Sequence, residues 1–140
     1  MALKDKFKKK QLIRNKDTGT ALERYNISFF HAIDGFTYSF MFEHNIIVIL
    51  ICALITIIFG FIFSISVYEW LFCIIIIGMI LASELLNSSI EAVVDLVTKE
   101  KHPLAKVSKD TASAAVLILC TTALIGGLVI FIPKIIGLFN

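Results

Sequence analysis

Residues 70–95 read WLFCIIIIGMILASELLNSSIEAVVD, two stretches of opposite chemistry joined without a break. The first half, 70–82, is wholly apolar and suits a lipid bilayer. The second half carries Glu84, Glu91 and Asp95, each costing several kcal/mol at membrane depth unless something matches it. Thirteen apolar residues are too few to cross a hydrocarbon layer, which takes about 20. The span therefore borrows length from the polar half, and its carboxylates lie in the membrane or at its edge. At about 100° per residue, Glu84, Asn87, Glu91 and Asp95 share a band about 80° wide, with Ser88 at its margin. Leu85, Leu86, Ile90, Val93 and Val94 fill the other faces. A polar stripe on an otherwise apolar helix has to look into a protein interior or a water-filled cleft.

The rest of the 140-residue chain agrees with a membrane location. Hydrophobic residues make up 58%, against about 45–50% in a soluble domain, and mean hydropathy is +0.89. Formal net charge is only +2, but the basic residues are clustered: eight of the 13 Lys and Arg precede residue 25, and Lys99, Lys101, Lys106 and Lys109 follow the acidic stripe. Cys52, Cys73 and Cys120 each sit inside an apolar run, with no CxxC spacing, so a metal cluster or disulfide framework is not indicated. The first 20 residues are basic without an apolar core or a cleavage site, and read as a cytoplasmic tail drawn to anionic headgroups.

Leu22, Tyr25, Phe29, Ile33, Phe36 and Phe40 recur at steps of three and four. This predicts an amphipathic interfacial helix over about 21–45, aromatic side toward lipid. Transmembrane helices are expected over about 46–63, 69–98 and 108–132, with Pro133 and Lys134 marking the exit of the last. The positive-inside rule places the N-terminus and the 99–109 loop in the cytoplasm. The expected architecture is an all-α integral membrane protein, with one membrane domain over 21–140 behind the tail. Nothing calls for a nucleic-acid partner.

Like charges in one band need cations. Lysines of KEKHPLAKVSKD (99–110) are one source and a bound Mg²⁺ is another, since hard carboxylate oxygens suit it. Glu43, just before the first span, stands at the depth of the stripe's lower end and could join Glu91 at a metal. Carboxylates, an amide, lysines and a divalent ion at a cytoplasmic surface point to phosphate chemistry, although no Walker A or kinase glycine-rich loop is present. A purely structural stripe and a small oligomeric ion or proton pathway are the competing readings. His31, His44 and His102 read as surface or loop residues.

ASELLNSSIEAVVD followed by HPLAKVSKDTASAAVLI closely resembles the prokaryotic diacylglycerol kinase family, with its E-x-x-N-[ST]-[AS]-[IL]-E-x-x-x-D and A-K-x-x-K-D-x-[AG]-[AS]-A-A-V patterns. The likeness runs from about Arg24 to Ile132. It implies a small membrane kinase of three transmembrane helices and a surface helix, assembled as a homotrimer, that phosphorylates a lipid hydroxyl with MgATP. By the same resemblance, Glu84 is the general base and touches the lipid beside Ser88, while Glu43 and Glu91 are metal ligands. Asn87, Asp95, Lys109, Asp110 and Arg24 then serve the nucleotide and its phosphates. One departure is EHNIIVI (43–49), where members with E-x-N-F-R-I-H carry arginine and histidine at the positions of Ile47 and Ile49. Ala32 stands where some members carry a hydroxyl. The segment around FHAIDGF (30–36) resembles the Gram-positive branch, which contains undecaprenol kinases. Undecaprenol is the expected substrate, diacylglycerol the alternative, and the bacterial cytoplasmic membrane the expected location.

Overall fold

The computed structural model describes residues 20–139. The expected basic tail lies outside the described residues, except for Thr20. Four helices follow in order: α1 (Ala21–Phe42), α2 (His44–Ile62), α3 (Val67–Val97) and α4 (Pro103–Ile136). No strand occurs among the described residues, and α2, α3 and α4 are each long and apolar enough to cross a membrane. The chain divides into two compact units, one ending at His44 and the other starting at Asn45.

In the first unit, Thr20 caps α1. Its backbone N–H donates to Glu23 Oε2 (2.7 Å), and its hydroxyl accepts from the Glu23 N–H (3.4 Å), so each group satisfies an otherwise orphan donor. The periodic aromatic face remains exposed, with Leu22, Tyr25, Phe29, Ile33, Phe36 and Phe40 all accessible. The helix stops at Phe42, short of the expected 45. Glu43 turns extended (φ −109°, ψ 111°), and its N–H is taken by the Ser39 carbonyl (2.8 Å). Composition gives no sign of this break, because the residues on both sides suit a helix.

The second unit is built on an antiparallel hairpin of α3 and α4. Inward positions on α4 run Lys109, Ala112, Val116, Leu119, Ala123, Gly126 and Ile130, alternating steps of three and four, the spacing that holds one seam of a helix against a partner. On α3 the seam runs Cys73, Ile76, Ile80, Glu84, Asn87 and Glu91. Small residues on α4 allow close approach, the usual basis of helix packing in lipid. The Phe72 ring lies directly over Gly126, where a Cβ would collide with it. Glu69 and Lys134 pair at 3.4 Å at one end of the hairpin.

Helix α4 begins earlier and ends later than the expected 108–132. His102 caps it, with Nδ1 accepting the Leu104 N–H (3.2 Å), and Pro103 fills the first turn, where a missing N–H costs nothing. Pro133 lies inside the helix rather than at its end. A proline there forfeits one backbone bond. Unravelling the turn within lipid would expose several more groups, and the Gly137 N–H closes the turn onto the Pro133 carbonyl (3.0 Å).

Helix α2 joins α3 through a tight link at residues 63–66. Ser64 adopts a left-handed conformation (φ 47°), the Ile65 N–H reaches the Gly60 carbonyl (3.1 Å), and the Ser64 N–H reaches that of Phe61 (3.2 Å). This is the Schellman pattern of helix termination, normally built on glycine. Ser66 and Glu69 form a second capping box at the start of α3. Beside the link, Ile65, Cys73 and Ile130 form a small core with Phe63, Trp70, Phe72 and Phe131 packed on it. Within this unit only α3 and α4 pack backbone to backbone; α2 reaches them through side chains such as Phe59, whose ring centroid lies 6.2 Å from that of Phe131.

The glycines yield a test. A Cβ on Gly60 would come within 2.6 Å of the Trp70 ring, whereas one on Gly35 would meet nothing within 4 Å. Gly60→Ala is expected to destabilise the fold by about 1–3 kcal/mol through overpacking. Gly35→Ala should be neutral or stabilising by up to about 1 kcal/mol from helix propensity. Thermal unfolding in detergent followed by far-UV circular dichroism measures both, and equal responses would contradict the packing described at Gly60.

Candidate functional site

The polar stripe of α3 continues its own hydrophobic seam. Cys73, Ile76 and Ile80 face inward, and the next two inward positions are Glu84 and Asn87. Their burial follows from register: a side chain on the seam faces α4 whether it is apolar or charged. Glu84 is 2% exposed and Asn87 7%. Glu91 and Ser88 are half-buried, and Asp95 is exposed. The stripe therefore runs from a protein-enclosed end to a solvent-facing end over three helical turns.

Asn87 is the hub of the enclosed part. Its Nδ2 donates to Glu91 Oε1 (3.2 Å), and its Oδ1 accepts from the Ser113 hydroxyl on α4 (3.3 Å). An amide suits this place because it offers a donor to the carboxylate and an acceptor to the hydroxyl at once. At the open end, Lys109 Nζ reaches Asp95 Oδ1 (2.5 Å) and also lies within the electrostatic reach of Glu91. This exposed ion pair contributes little to stability. Its consequence is positional, since it holds an ammonium group beside the stripe.

The carboxylate of Glu84 differs from the rest. It accepts no hydrogen bond and enters no ion pair with any described residue. No fully enclosed side-chain oxygen or nitrogen among the described residues lacks a partner, so its oxygens keep a narrow opening. A nearly buried carboxylate with such an opening and no internal donor is available to a group arriving from outside.

The remaining candidates are placed differently. Asp110 turns away from the seam toward Lys106, four residues back on its own helix (3.0 Å). Neighbouring helical residues diverge by about 100°, and while Lys109 pairs with Asp95 of α3, Asp110 pairs within its own helix. Arg24 sits in the first turn of α1, and Glu43 follows that helix's last residue; both belong to the first unit. Of the four lysines in the 99–109 segment, Lys109 alone is seen to reach the stripe among the described residues. Ser113 is a participant that residue type alone does not reveal. Only its place four residues after Lys109, read together with the hairpin register, brings it opposite Asn87.

The three spans and the polar seam between α3 and α4 define the class, a helical membrane protein in which carboxylates, an amide, a hydroxyl and a lysine meet along one seam that runs from buried to exposed. The chain belongs to the prokaryotic diacylglycerol kinase family, which it matches over residues 30–131, and it is a lipid kinase. It is 39% identical over 121 residues to the undecaprenol kinase of Bacillus subtilis, covering 86% of this chain and 98% of that one. It is also 39% identical over 89 residues to a diacylglycerol kinase of Helicobacter pylori, covering 64% and 70% respectively. With the diacylglycerol kinase of Pseudomonas aeruginosa it shares 34% over 102 residues, 73% of this chain and 83% of the other. Membership sets aside the ion-pathway reading and implies ATP as phosphoryl donor.

The hub makes a prediction independent of turnover. Asn87→Asp removes the donor to Glu91 and sets two carboxyl groups against each other. It should cost about 1–3 kcal/mol in thermal stability, as expected for unsatisfied buried polar groups, while Asp110→Asn at the exposed pair should change little. Equal stability of the two variants would show that the Asn87 network holds nothing together.

Proposed function

We propose that the protein transfers the γ-phosphoryl group of ATP to the hydroxyl of undecaprenol, with Mg²⁺, at the cytoplasmic face of the bacterial plasma membrane. The observation that carries this reading is Glu84, an almost buried carboxylate without an internal partner, on the same seam that ends at Lys109. Likeness to the Bacillus enzyme across nearly its whole length favours undecaprenol over diacylglycerol.

Helix length supports the placement. The 31 residues of α3 measure about 46 Å at about 1.5 Å each, against about 30 Å of hydrocarbon. Counted from its first residue, about 30 Å is used up near Asn87. Glu84 would then stand in the last apolar turn, within reach of a lipid hydroxyl, while Glu91 and Asp95 stand where a soluble nucleotide arrives. Three spans would leave the C-terminus outside. Assembly as a homotrimer belongs to the same proposal.

Within that frame Glu84 accepts the proton of the lipid hydroxyl as its oxygen attacks the γ-phosphorus, and Ser88, one turn on, lies beside the lipid head. Lys109 neutralises charge on the phosphates. Asn87 orients Glu91 and keeps its second oxygen free. By the family motif, Glu91 and Glu43 are the residues that would hold Mg²⁺, a cation that takes one or two carboxylates together with phosphate oxygens and water. When bound, the ion would offset negative charge on the phosphates. Arg24, Asp95 and Asp110 complete the nucleotide side by motif.

Glu84→Gln keeps shape and size but removes the base. It should lower turnover on undecaprenol by about 10²–10⁴-fold while helicity and ATP binding persist; a rate within a few-fold of wild type would remove Glu84 from that role. Glu91→Gln should raise the Mg²⁺ concentration needed for half-maximal rate, and an unchanged requirement would take it out of the metal site.

A further inference from the structure

A cavity of about 500 Å³ separates α2 from the α3–α4 hairpin. Its walls include Val48, Cys52 and Phe59 on α2, Ile80 on α3, and Cys120 and Phe131 on α4. From Val48 to Phe59 it follows α2 for about 16 Å. One end is flanked by the Phe59–Phe131 ring contact. The other reaches the polar seam: Ile80 is one turn from Glu84 on the same inward face, and the Cys120 thiol is an electrostatic neighbour of the Glu84 carboxylate.

The lining is almost free of hydrogen-bond donors. Thr56 is its one hydroxyl, and that hydroxyl already donates to the Cys52 carbonyl on its own helix (2.9 Å). Ile49, at the position where the E-x-N-F-R-I-H pattern carries histidine, also lines the cavity. A hydrocarbon chain can fill such a space without loss. An ester carbonyl brought into it would exchange water or headgroup partners for none, which is unfavourable.

We propose that the first isoprene units of the substrate alcohol lie in this cavity with the hydroxyl end at Glu84, and that the donor-free lining selects an isoprenoid chain over the ester-bearing chains of a diacylglycerol. This rests on the lipid-kinase reading of Glu84 and adds where the chain goes and what discriminates it. Continuity with the catalytic seam favours a substrate chain over a second copy of the protein, which would need no path to Glu84. Open walls at Val48 and Leu124, both well exposed, give lateral entry from the bilayer.

The test uses a polyprenol with a diazirine in its second isoprene unit and a diacylglycerol with a diazirine at matched depth. Each is photolysed with the Glu84→Gln protein in mixed micelles, and wild-type protein is assayed in parallel for phosphorylation of the same probes. Polyprenol adducts are expected on cavity residues such as Cys52, Ala123 and Cys120, at about tenfold or more over diacylglycerol adducts. Adducts confined to outward residues such as Leu54 and Leu117, on a probe that wild type phosphorylates, would overturn the cavity assignment alone. Failure to phosphorylate either probe would instead overturn the kinase reading. As a second measurement, Cys52→Phe, on α2 and off the α3–α4 seam, should raise KM for the polyprenol by about tenfold with kcat largely kept; an unchanged KM in the folded variant would also overturn the proposal. Cavity residues shielded without any lipid, and released when the assembly is dissociated, would identify a second copy as the occupant and overturn it.

Discussion

The structure depends on enclosing a carboxylate, Glu84, between two helices of membrane-spanning length. A charge on such a helix is costly unless it is matched, so its surroundings have to come from the chain itself. The α3–α4 hairpin supplies them. Its seam runs without interruption from Cys73 through Ile76 and Ile80 to Glu84 and Asn87, so the register that buries isoleucines also buries the acid. Small residues on the facing side of α4 let the two helices approach closely, and the Asp95–Lys109 and Glu69–Lys134 pairs stand at opposite ends of the hairpin. The Asp95–Lys109 pair is exposed and weak by itself, and the Glu69–Lys134 pair is half-buried; the two match an antiparallel register at both ends of the hairpin.

The same seam grades the environment. Glu84 is enclosed and without a donor, Asn87 and Glu91 satisfy each other, and Asp95 meets a lysine at the surface. Lipid alcohols and nucleotides inhabit different phases, and on the proposed function this gradient would offer each a side: an apolar approach at the Glu84 end and a charged approach at the Lys109 end. Phosphoryl transfer between the phases needs groups that already stand on the boundary.

Much of this arrangement was legible in the residues. The stripe at 84, 87, 91 and 95 stands out because charge is so rare in lipid that its spacing carries information. The spans follow from length and hydropathy for a similar reason. Helix ends were harder to read, since backbone bonding sets them and composition does not. Glu43 leaves the helix although its neighbours favour one, and Pro133 remains in a helix it would terminate in water. The capping boxes at Thr20–Glu23 and Ser66–Glu69 are visible as S/T-x-x-E and would have fixed two of the starts. Tertiary partners were least accessible. Neither Ser113 opposite Asn87 nor Lys134 opposite Glu69 can be paired until the hairpin register is known, and the opposed directions of Lys109 and Asp110 emerge only in three dimensions.

The central claim is that this seam phosphorylates a membrane alcohol, with undecaprenol preferred. The most direct measurement is transfer of labelled phosphate from ATP to lipid in mixed micelles, with undecaprenol and diacylglycerol competing at equal mole fraction. The account predicts label chiefly in undecaprenyl phosphate. Label chiefly in phosphatidic acid would contradict the substrate assignment, and folded protein that labels neither lipid in the presence of Mg²⁺ would contradict the account as a whole.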